Sequence, residues 1–365
     1  MELWRMITTR AALLYGERDL RIEDVSLGVL EGDQVLVKVN TTTLCPTDLR
    51  KYLGYAEIPG PIILGHEISG VVEEAGESVS STGSGDRVAI YSILPCGLCR
   101  YCRRYMPELC DNLIGIGGSA GSIKRYYEGF LSRGIGGGLA DYIKVPEKLV
   151  VKLPPQISLD YGSLIEPLAN VIRGQSMCNP GPGKTELIFG AGPIGLMHLI
   201  AARSMGIGDV IVVEPLDERR KMAEEFGATA SINPGEEDFR EEIREITDGV
   251  GPDIIVVATG WGAQAKCSEL AVELAAKGGV INIFAATYPK RLISIDPNDV
   301  HYKELRIIGS FDHRPWNYYE AIDLMVKNYD KIRRLIYPRF RLTDAKEAFE
   351  SYGKKGSMKV AVEPK

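Results

Sequence analysis

The chain has 365 residues and a formal net charge of −6, with 43 Lys and Arg against 49 Asp and Glu. That acidic balance gives no support for nucleic acid or an anionic membrane as partner, and no run of about eighteen uncharged apolar residues is present to span a bilayer. Hydrophobic content of 45% and charged content of 25% are those of an ordinary globular protein, and the length exceeds one core, so two domains are expected.

Met1-Glu2-Leu3-Trp4-Arg5 lacks a basic start followed by an apolar core, so no secretory signal is expected and the cytoplasm is the expected location. The first third then reads as β-rich. Gln34–Val39 and Ile68–Glu73 cluster β-branched residues, and turn signals at Glu31-Gly32-Asp33 and Ser84-Gly85-Asp86 separate such runs, as in a small barrel or sandwich.

Cys96, Cys99, Cys102 and Cys110 follow with the spacing Cys-x2-Cys-x2-Cys-x7-Cys. Four thiolates on one loop suit tetrahedral Zn²⁺ and close its coordination sphere, which makes this a structural site. Paired disulfides are the alternative, disfavoured in a reducing compartment. The other three cysteines, Cys45, Cys178 and Cys267, are too scattered for a disulfide framework. The glycine-rich segment from Gly115 to Gly138, carrying Lys124, Arg125, Tyr126 and Tyr127, is expected to be a lid or a mobile surface loop.

From about Gly174 to Asp312 strands and helices alternate. Leu187–Phe189, Val210–Val213 and Ile254–Val257 are apolar strands, with helices predicted at Leu196–Met205 and Asp217–Phe226, so a parallel sheet covered on both faces is expected. A helix over Tyr318–Lys327 and a strand over Met358–Val362 are predicted to return to the first domain.

Gly190-Ala191-Gly192-Pro193-Ile194-Gly195 fits G-x-G-x-x-G between a strand and a helix, the context of a dinucleotide site. The glycines permit the tight turn, approach of a diphosphate and close helix–strand packing, while the helix N-terminus faces the phosphates. Glu214, 24 positions after Gly190, can accept the ribose hydroxyls and repel a 2′-phosphate, so NAD is favoured over NADP. Otherwise Glu214 is a helix-entry residue before Pro215. Arg219 nearby could tolerate NADP or stack on adenine. Thr259, Phe284 and Phe311 complete the expected cofactor-binding set.

A catalytic zinc needs three protein ligands and an open position. Cys45, in Leu44-Cys45-Pro46-Thr47-Asp48, and His66-Glu67 are the candidates. Of the other histidines, His198 lies in an apolar helix and reads as packed or surface imidazole. His301 and His313 fall late in the nucleotide domain, as surface or cleft residues.

Cys-Pro-Thr-Asp-Leu at Cys45–Leu49, Gly-His-Glu at Gly65–Glu67, Gly-Asp-Arg-Val at Gly85–Val88, the four cysteines and Glu166-Pro167-Leu168 occur in the order found in the zinc-dependent medium-chain dehydrogenase/reductase family. The chain resembles that family over nearly its whole length, most of all the polyol branch typified by sorbitol dehydrogenase. The resemblance implies an α/β two-domain protein. A GroES-like β-barrel catalytic domain would cover 1–173 and 318–365, with the structural-zinc lobe at about 94–112, and a doubly wound Rossmann domain 174–317. The catalytic zinc would lie in the cleft between them, giving two zinc per chain. Cys45 and His66 become metal ligands, and Glu67 matches the carboxylate ligand of the polyol branch. Glu166 stands where liver-type alcohol dehydrogenases have a third zinc-binding cysteine, and would bind zinc or hold its water. Its alternative role is that of a helix N-terminal acid before Pro167.

In the implied chemistry zinc lowers the pKa of a bound hydroxyl, Thr47 relays the proton through the cofactor ribose, Asp48 supports the ligands, and the carbinol carbon gives hydride to nicotinamide. Thr47 and Asp48 could otherwise form an Asx-type turn. The family often has a histidine five residues after the first cysteine, where this chain has Arg50, a poor proton shuttle. The proton is therefore expected to leave by water, with Arg50 on the cofactor diphosphate or an anionic substrate. Tyr55, Tyr91, the long loop and Asp312–Trp316 are candidates for the substrate pocket. The expected activity is oxidation of a secondary hydroxyl of a polyol, sugar or cyclitol to the ketone, in a homo-oligomer for which a tetramer is favoured over a dimer. A threonine dehydrogenase-like or simple secondary-alcohol enzyme is the alternative, and a catalytically silent NAD-binding or structural protein of the same fold another. A zinc-ribbon nucleic-acid binder conflicts with the acidic charge.

Overall fold

The structure is a computed structural model that describes residues 6–119, 136–236 and 239–364. Two compact units are formed, Met1–Ala169 with His313–Lys365, and Asn170–Asp312. His313 therefore belongs to the first unit, not to the nucleotide-binding one. Lys124, Arg125, Tyr126 and Tyr127 lie outside the described residues. No helix among the described residues is long and apolar enough to cross a membrane.

The first unit is built on mostly antiparallel sheets. Its centre is the strand Gln34–Thr43, whose β-branched and apolar residues are buried along nearly its whole length. This strand pairs with Glu67–Ala75, Tyr142–Pro146 and Lys359–Glu363. The register sets Thr43 opposite Glu67 and Ala361 opposite Thr43, so one strand end gathers the chemistry of three segments. Beyond it Leu44 and Cys45 lead into the helix Pro46–Tyr52. Tyr52 stacks on Phe349 at 4.6 Å, and both rings are buried in a core with Leu14, Leu44, Ile63 and Val360. Burying one such ring is worth about 2 kcal/mol, enough to fix the helix that follows Cys45.

The second unit is a six-stranded parallel sheet. Its spatial order is Ala230–Ile232, Asp209–Val213, Thr185–Phe189, Ile254–Val257, Val280–Ile283, Arg306–Gly309. In chain order this is 3-2-1-4-5-6, the doubly wound arrangement whose switch point lies between the first and fourth strands. Continuous runs of buried Val and Ile explain the strands, covered on both faces. The helix after the glycine turn spans Pro193–Ser204, about one turn earlier than predicted, because Pro193 can occupy the first helical position without losing a hydrogen bond. The predicted helix at Tyr318 likewise begins earlier, at Pro315.

Candidate metal and cofactor sites

The four-cysteine loop carries two short 3-10 turns, Cys102–Arg104 and Pro107–Leu109. Its four Sγ atoms lie within 4.8 Å of one another, and none is in a disulfide. The Cys99–Cys102 and Cys96–Cys110 separations of 3.6 and 3.4 Å are near the edge of a Zn–S tetrahedron, about 3.8 Å. Backbone N–H groups supply the support. Leu98 and Cys99 donate to Cys96 Sγ at 3.5 and 3.4 Å, and Cys96 and Asn112 donate to Cys110 Sγ, both at 3.3 Å. Those amides hold the Cys96 thiol down at about 6. Four thiolates in this arrangement fit a zinc ion with no position left open.

The second donor cluster brings Cys45, His66 and Glu67 together, with ligand atoms within 4.8 Å of one another. Cys45 caps the helix Pro46–Tyr52, and Asp48 in its first turn folds back to accept from Cys45 N at 3.0 Å. The other Asp48 oxygen accepts from Gly65 N at 3.3 Å and lies 3.4 Å from His66 Nδ1. That carboxylate is fully buried, and its approach to Nδ1 leaves Nε2 as the nitrogen free of it. Gly65 has φ +90, and a Cβ there would sit 2.6 Å from Thr42 Cγ2, so the residue before His66 must be glycine. Burial works against charge on His66, but the Asp48 carboxylate and the Cys45 sulfur overcome it and raise its pKa. The spot favours positive charge, as a metal site must.

Glu67 is tied on both oxygens. Thr43 Oγ1 donates to Oε2, and the ammonium of Lys359 pairs with Oε1 while also donating to Leu44 O at 3.2 Å. Burial pushes Glu67 up to about 7 in spite of Lys359. Lys359 is 1% exposed and opens a strand whose next three residues, Val360, Ala361 and Val362, are buried and apolar. Sequence reading missed it, although a lysine heading a buried strand of alternating Val and Ala is a signal of internal pairing.

Glu166, in the first turn of the helix Ile165–Met177, stands outside that three-residue cluster. Ser92 Oγ donates to its Oε1 at 3.1 Å, and His313 Nε2 lies 3.3 Å from the same oxygen. Burial raises Glu166, but His313, His66 and Lys359 outweigh it and hold the carboxyl at about 2. Glu166 therefore shares the electrostatic field of the cluster. His313, expected at a surface or cleft, is fully buried against Ser92. Tyr91 is no open pocket wall either. It is buried and its hydroxyl donates to His313 O at 3.3 Å. Thr47 and Arg50 are half-buried, and Tyr55 and Trp316 are exposed. Lys51 donates to Gly118 O at 2.6 Å and Thr47 O at 3.3 Å, and burial pushes it down to about 8.

In the second unit Gly190 ends the strand Thr185–Phe189 with φ +100 and donates to Val213 O at 2.8 Å. A Cβ on Gly195 would lie 1.8 Å from Gly190 O, so only glycine lets Pro193–Ser204 approach the strand this closely. Gly192 caps that helix, and Pro193 and Ile194 start it, which leaves first-turn amides for a diphosphate. Glu214 is buried. It accepts from Ala191 N at 2.8 Å and Leu216 N at 3.1 Å, with Arg219 Nη1 3.8 Å away. The Arg219 guanidinium also lies over Gly192. Thr259 packs beside Gly190. The Phe284 ring stands edge-on to His198 at 4.5 Å, and Phe311 O accepts from Arg173 Nη1 at 3.1 Å. His198 is buried, with Gln175 Nε2 bridging its Nδ1 at 3.1 Å and Glu186 Oε1 at 2.6 Å.

Two family models match the chain. The one described as alcohol dehydrogenase GroES-like domain covers residues 31–155, and the one described as zinc-binding dehydrogenase covers 193–327. An L-threonine 3-dehydrogenase of Pyrococcus abyssi is 33% identical over 326 residues, 87% of each chain. A sorbitol dehydrogenase of Bombyx mori is 30% identical over 365 residues, 98% of this chain and 99% of its own. A solved structure described as a zinc-binding dehydrogenase from Sinorhizobium meliloti, bound to NADP, superposes with a TM-score of 0.87 at 29% identity. It covers 98% of this chain and 100% of that one.

Proposed function

Because the chain belongs to the zinc-binding alcohol dehydrogenase family, we propose that it oxidises a secondary hydroxyl of a polyol, sugar or cyclitol to the ketone, with NAD favoured over NADP as acceptor. The observation that carries this reading is the mixed donor set. One thiolate and one imidazole stand with the buried carboxylate Glu67, and a second buried carboxylate, Glu166, shares their electrostatic field where a second thiolate would otherwise stand. Oxygen ligands donate less electron density than sulfur, which suits activation of polyhydroxylated substrates.

Cys45, His66 and a carboxylate of this set would hold a zinc ion, which would supply a Lewis acid that lowers the pKa of the substrate hydroxyl. Asp48 keeps His66 turned with Nε2 forward. Thr47, two residues from Cys45, would accept the hydroxyl proton at Oγ1 while giving its own hydrogen to the cofactor ribose. Arg50 remains protonated and binds an anionic group, so the proton leaves through water. The Gly190–Gly195 turn would hold the diphosphate of the dinucleotide, whose nicotinamide would supply the acceptor for the hydride of the carbinol carbon. Glu214, already accepting two backbone N–H groups, has lone pairs left for the ribose hydroxyls. Replacing Glu214 with Ala should shift the kcat/KM ratio toward NADP. An unchanged ratio removes its role in the preference.

The four cysteines hold the second, structural zinc, so metal analysis should return about two zinc per folded chain. Cysteines that are all unpaired suit the cytoplasm. Light scattering should find a homo-oligomer, a tetramer before a dimer. L-threonine is the second substrate reading, favoured by the Pyrococcus abyssi relative, which is as similar as the sorbitol dehydrogenase. A panel of polyols, aldoses, cyclitols, simple secondary alcohols and L-threonine, followed by NADH formation, separates the two. Oxidation of L-threonine alone would displace the polyol reading.

A further inference from the structure

We propose that His313 is a positioning residue for Glu166, fixing the carboxylate through Ser92 in the orientation the metal requires. The inference rests on the reading that Glu166 serves the metal. Ser92 Oγ lies 3.1 Å from both Glu166 Oε1 and His313 Nε2, and the latter two are 3.3 Å apart. A serine hydroxyl has one hydrogen. Given to Glu166, it leaves the oxygen as acceptor, so His313 Nε2 must carry a hydrogen directed into the triangle. The Ser92 hydroxyl donates to the carboxylate oxygen, and the single His313 N–H, directed between Ser92 Oγ and that oxygen, holds both in place and limits rotation of the carboxylate about its last bond.

The imidazole is itself locked. It is fully buried between Tyr91 and Tyr318, with ring centroids at 4.9 and 5.0 Å. Tyr91 donates to the His313 carbonyl at 3.3 Å, and Tyr318 donates to Ile90 O at 2.9 Å. The strand Arg87–Ile90 runs directly into Tyr91 and Ser92, so one segment supplies a wall of the cage and the hydroxyl, and the helix Pro315–Lys327 supplies Tyr318. Burying an imidazole among aromatic rings is unfavourable unless its N–H groups are used. Partners of this kind change metal affinity or activity about 10–100-fold when removed.

The test compares His313→Phe, His313→Gln, Ser92→Ala and Glu166→Ala in the full chain. Zinc retention against a chelator, the visible spectrum of the cobalt-substituted protein, kcat and KM separately, and the melting temperature are the readouts. Phenylalanine fills the cage but cannot donate, whereas the glutamine amide can. His313→Phe and Ser92→Ala should each weaken retention of one zinc by about 10–100-fold, shift the cobalt bands and lower kcat more than they raise KM. His313→Gln should restore most of the retention and the spectrum. If His313→Phe does not fold, Ser92→Ala, which keeps the cage, gives the answer. Unchanged retention and spectrum in Ser92→Ala and in whichever His313 variants fold, with both altered in Glu166→Ala, overturns the positioning role alone. Unchanged behaviour of Glu166→Ala overturns the reading of Glu166 and this inference with it.

Discussion

The four-cysteine loop and the Cys45–His66–Glu67 cluster both gather donors for a divalent ion, yet they are supported in opposite ways. The loop takes all four ligands from residues 96–110 and steadies them with backbone amides of the same turns. The cluster takes its parts from segments as far apart as Thr43 and Lys359 and steadies them with side chains, namely Asp48, Thr43, Lys359, Ser92 and His313. Backbone support is set once the turn forms and is indifferent to most substitutions. Side-chain support places opposite charges where burial makes them matter, and any one can be removed by a single mutation. A closed structural sphere suits the first arrangement, and an open site whose acidity must be tuned suits the second.

The sharpest break in this comparison is Cys45→Ala. Turnover should fall to background and zinc from about two to about one per chain, while NADH binding, followed by its fluorescence, persists. Retained turnover would sink the assignment of the reactive metal. Next comes Lys359→Met, which leaves the Glu67 carboxylate buried without its cation. Denaturant unfolding should show a loss of about 3–5 kcal/mol, largely restored by Lys359→Arg. A loss below about 1 kcal/mol would mean that the pair is not needed. Cys99→Ser should remove the loop zinc and lower the melting temperature while leaving kcat/KM of the folded enzyme within a few-fold. A collapse of kcat/KM at temperatures where the variant stays folded would contradict the purely structural role.

The smallest effect concerns acidity away from both metal regions. Burial pushes Glu186 up to about 8 and His198 down to about 3. Between pH 4.5 and 6.5, roughly, the unfolded chain has released the glutamate proton and gained one on the histidine, so the two slopes oppose and largely cancel. Above about 6.5 only Glu186 still differs, with the folded state holding the extra proton. This pair should therefore lower stability by about 2 kcal/mol as pH rises from about 6.5 to 8, on top of the contributions of the other shifted groups. Glu186→Gln should abolish that fall, and stripping zinc should not. A fall that disappears with the zinc would move its origin to the metal regions.

What could be read from the sequence was whatever one short segment encodes. The α/β two-domain class, the glycine turn, the cysteine spacing and the Gly-His-Glu run each announce themselves within a few residues. Long-range pairing was not legible. Thr43 meets Glu67 only because the antiparallel register sets them opposite. Ser92 and His313 are 221 positions apart, and no spacing rule connects them. Phe284, expected at the cofactor, has its ring against His198, a contact that depends on how a helix lies over the sheet. Helix starts were misjudged at Pro193 and Pro315 because apolar periodicity begins after the proline that opens each helix.

The Glu67–Lys359 pair also orders events during synthesis. The two residues are separated by 292 positions, and all of Asn170–Asp312 is translated between them. The second unit is a contiguous stretch with its own parallel sheet and can fold as it emerges from the ribosome. The first unit must meanwhile wait with an acid at its centre that has no counter-ion. Only arrival of the strand Lys359–Glu363 supplies the lysine that neutralises Glu67. The centre of the first unit is thus completed only after the whole of the second unit has been made.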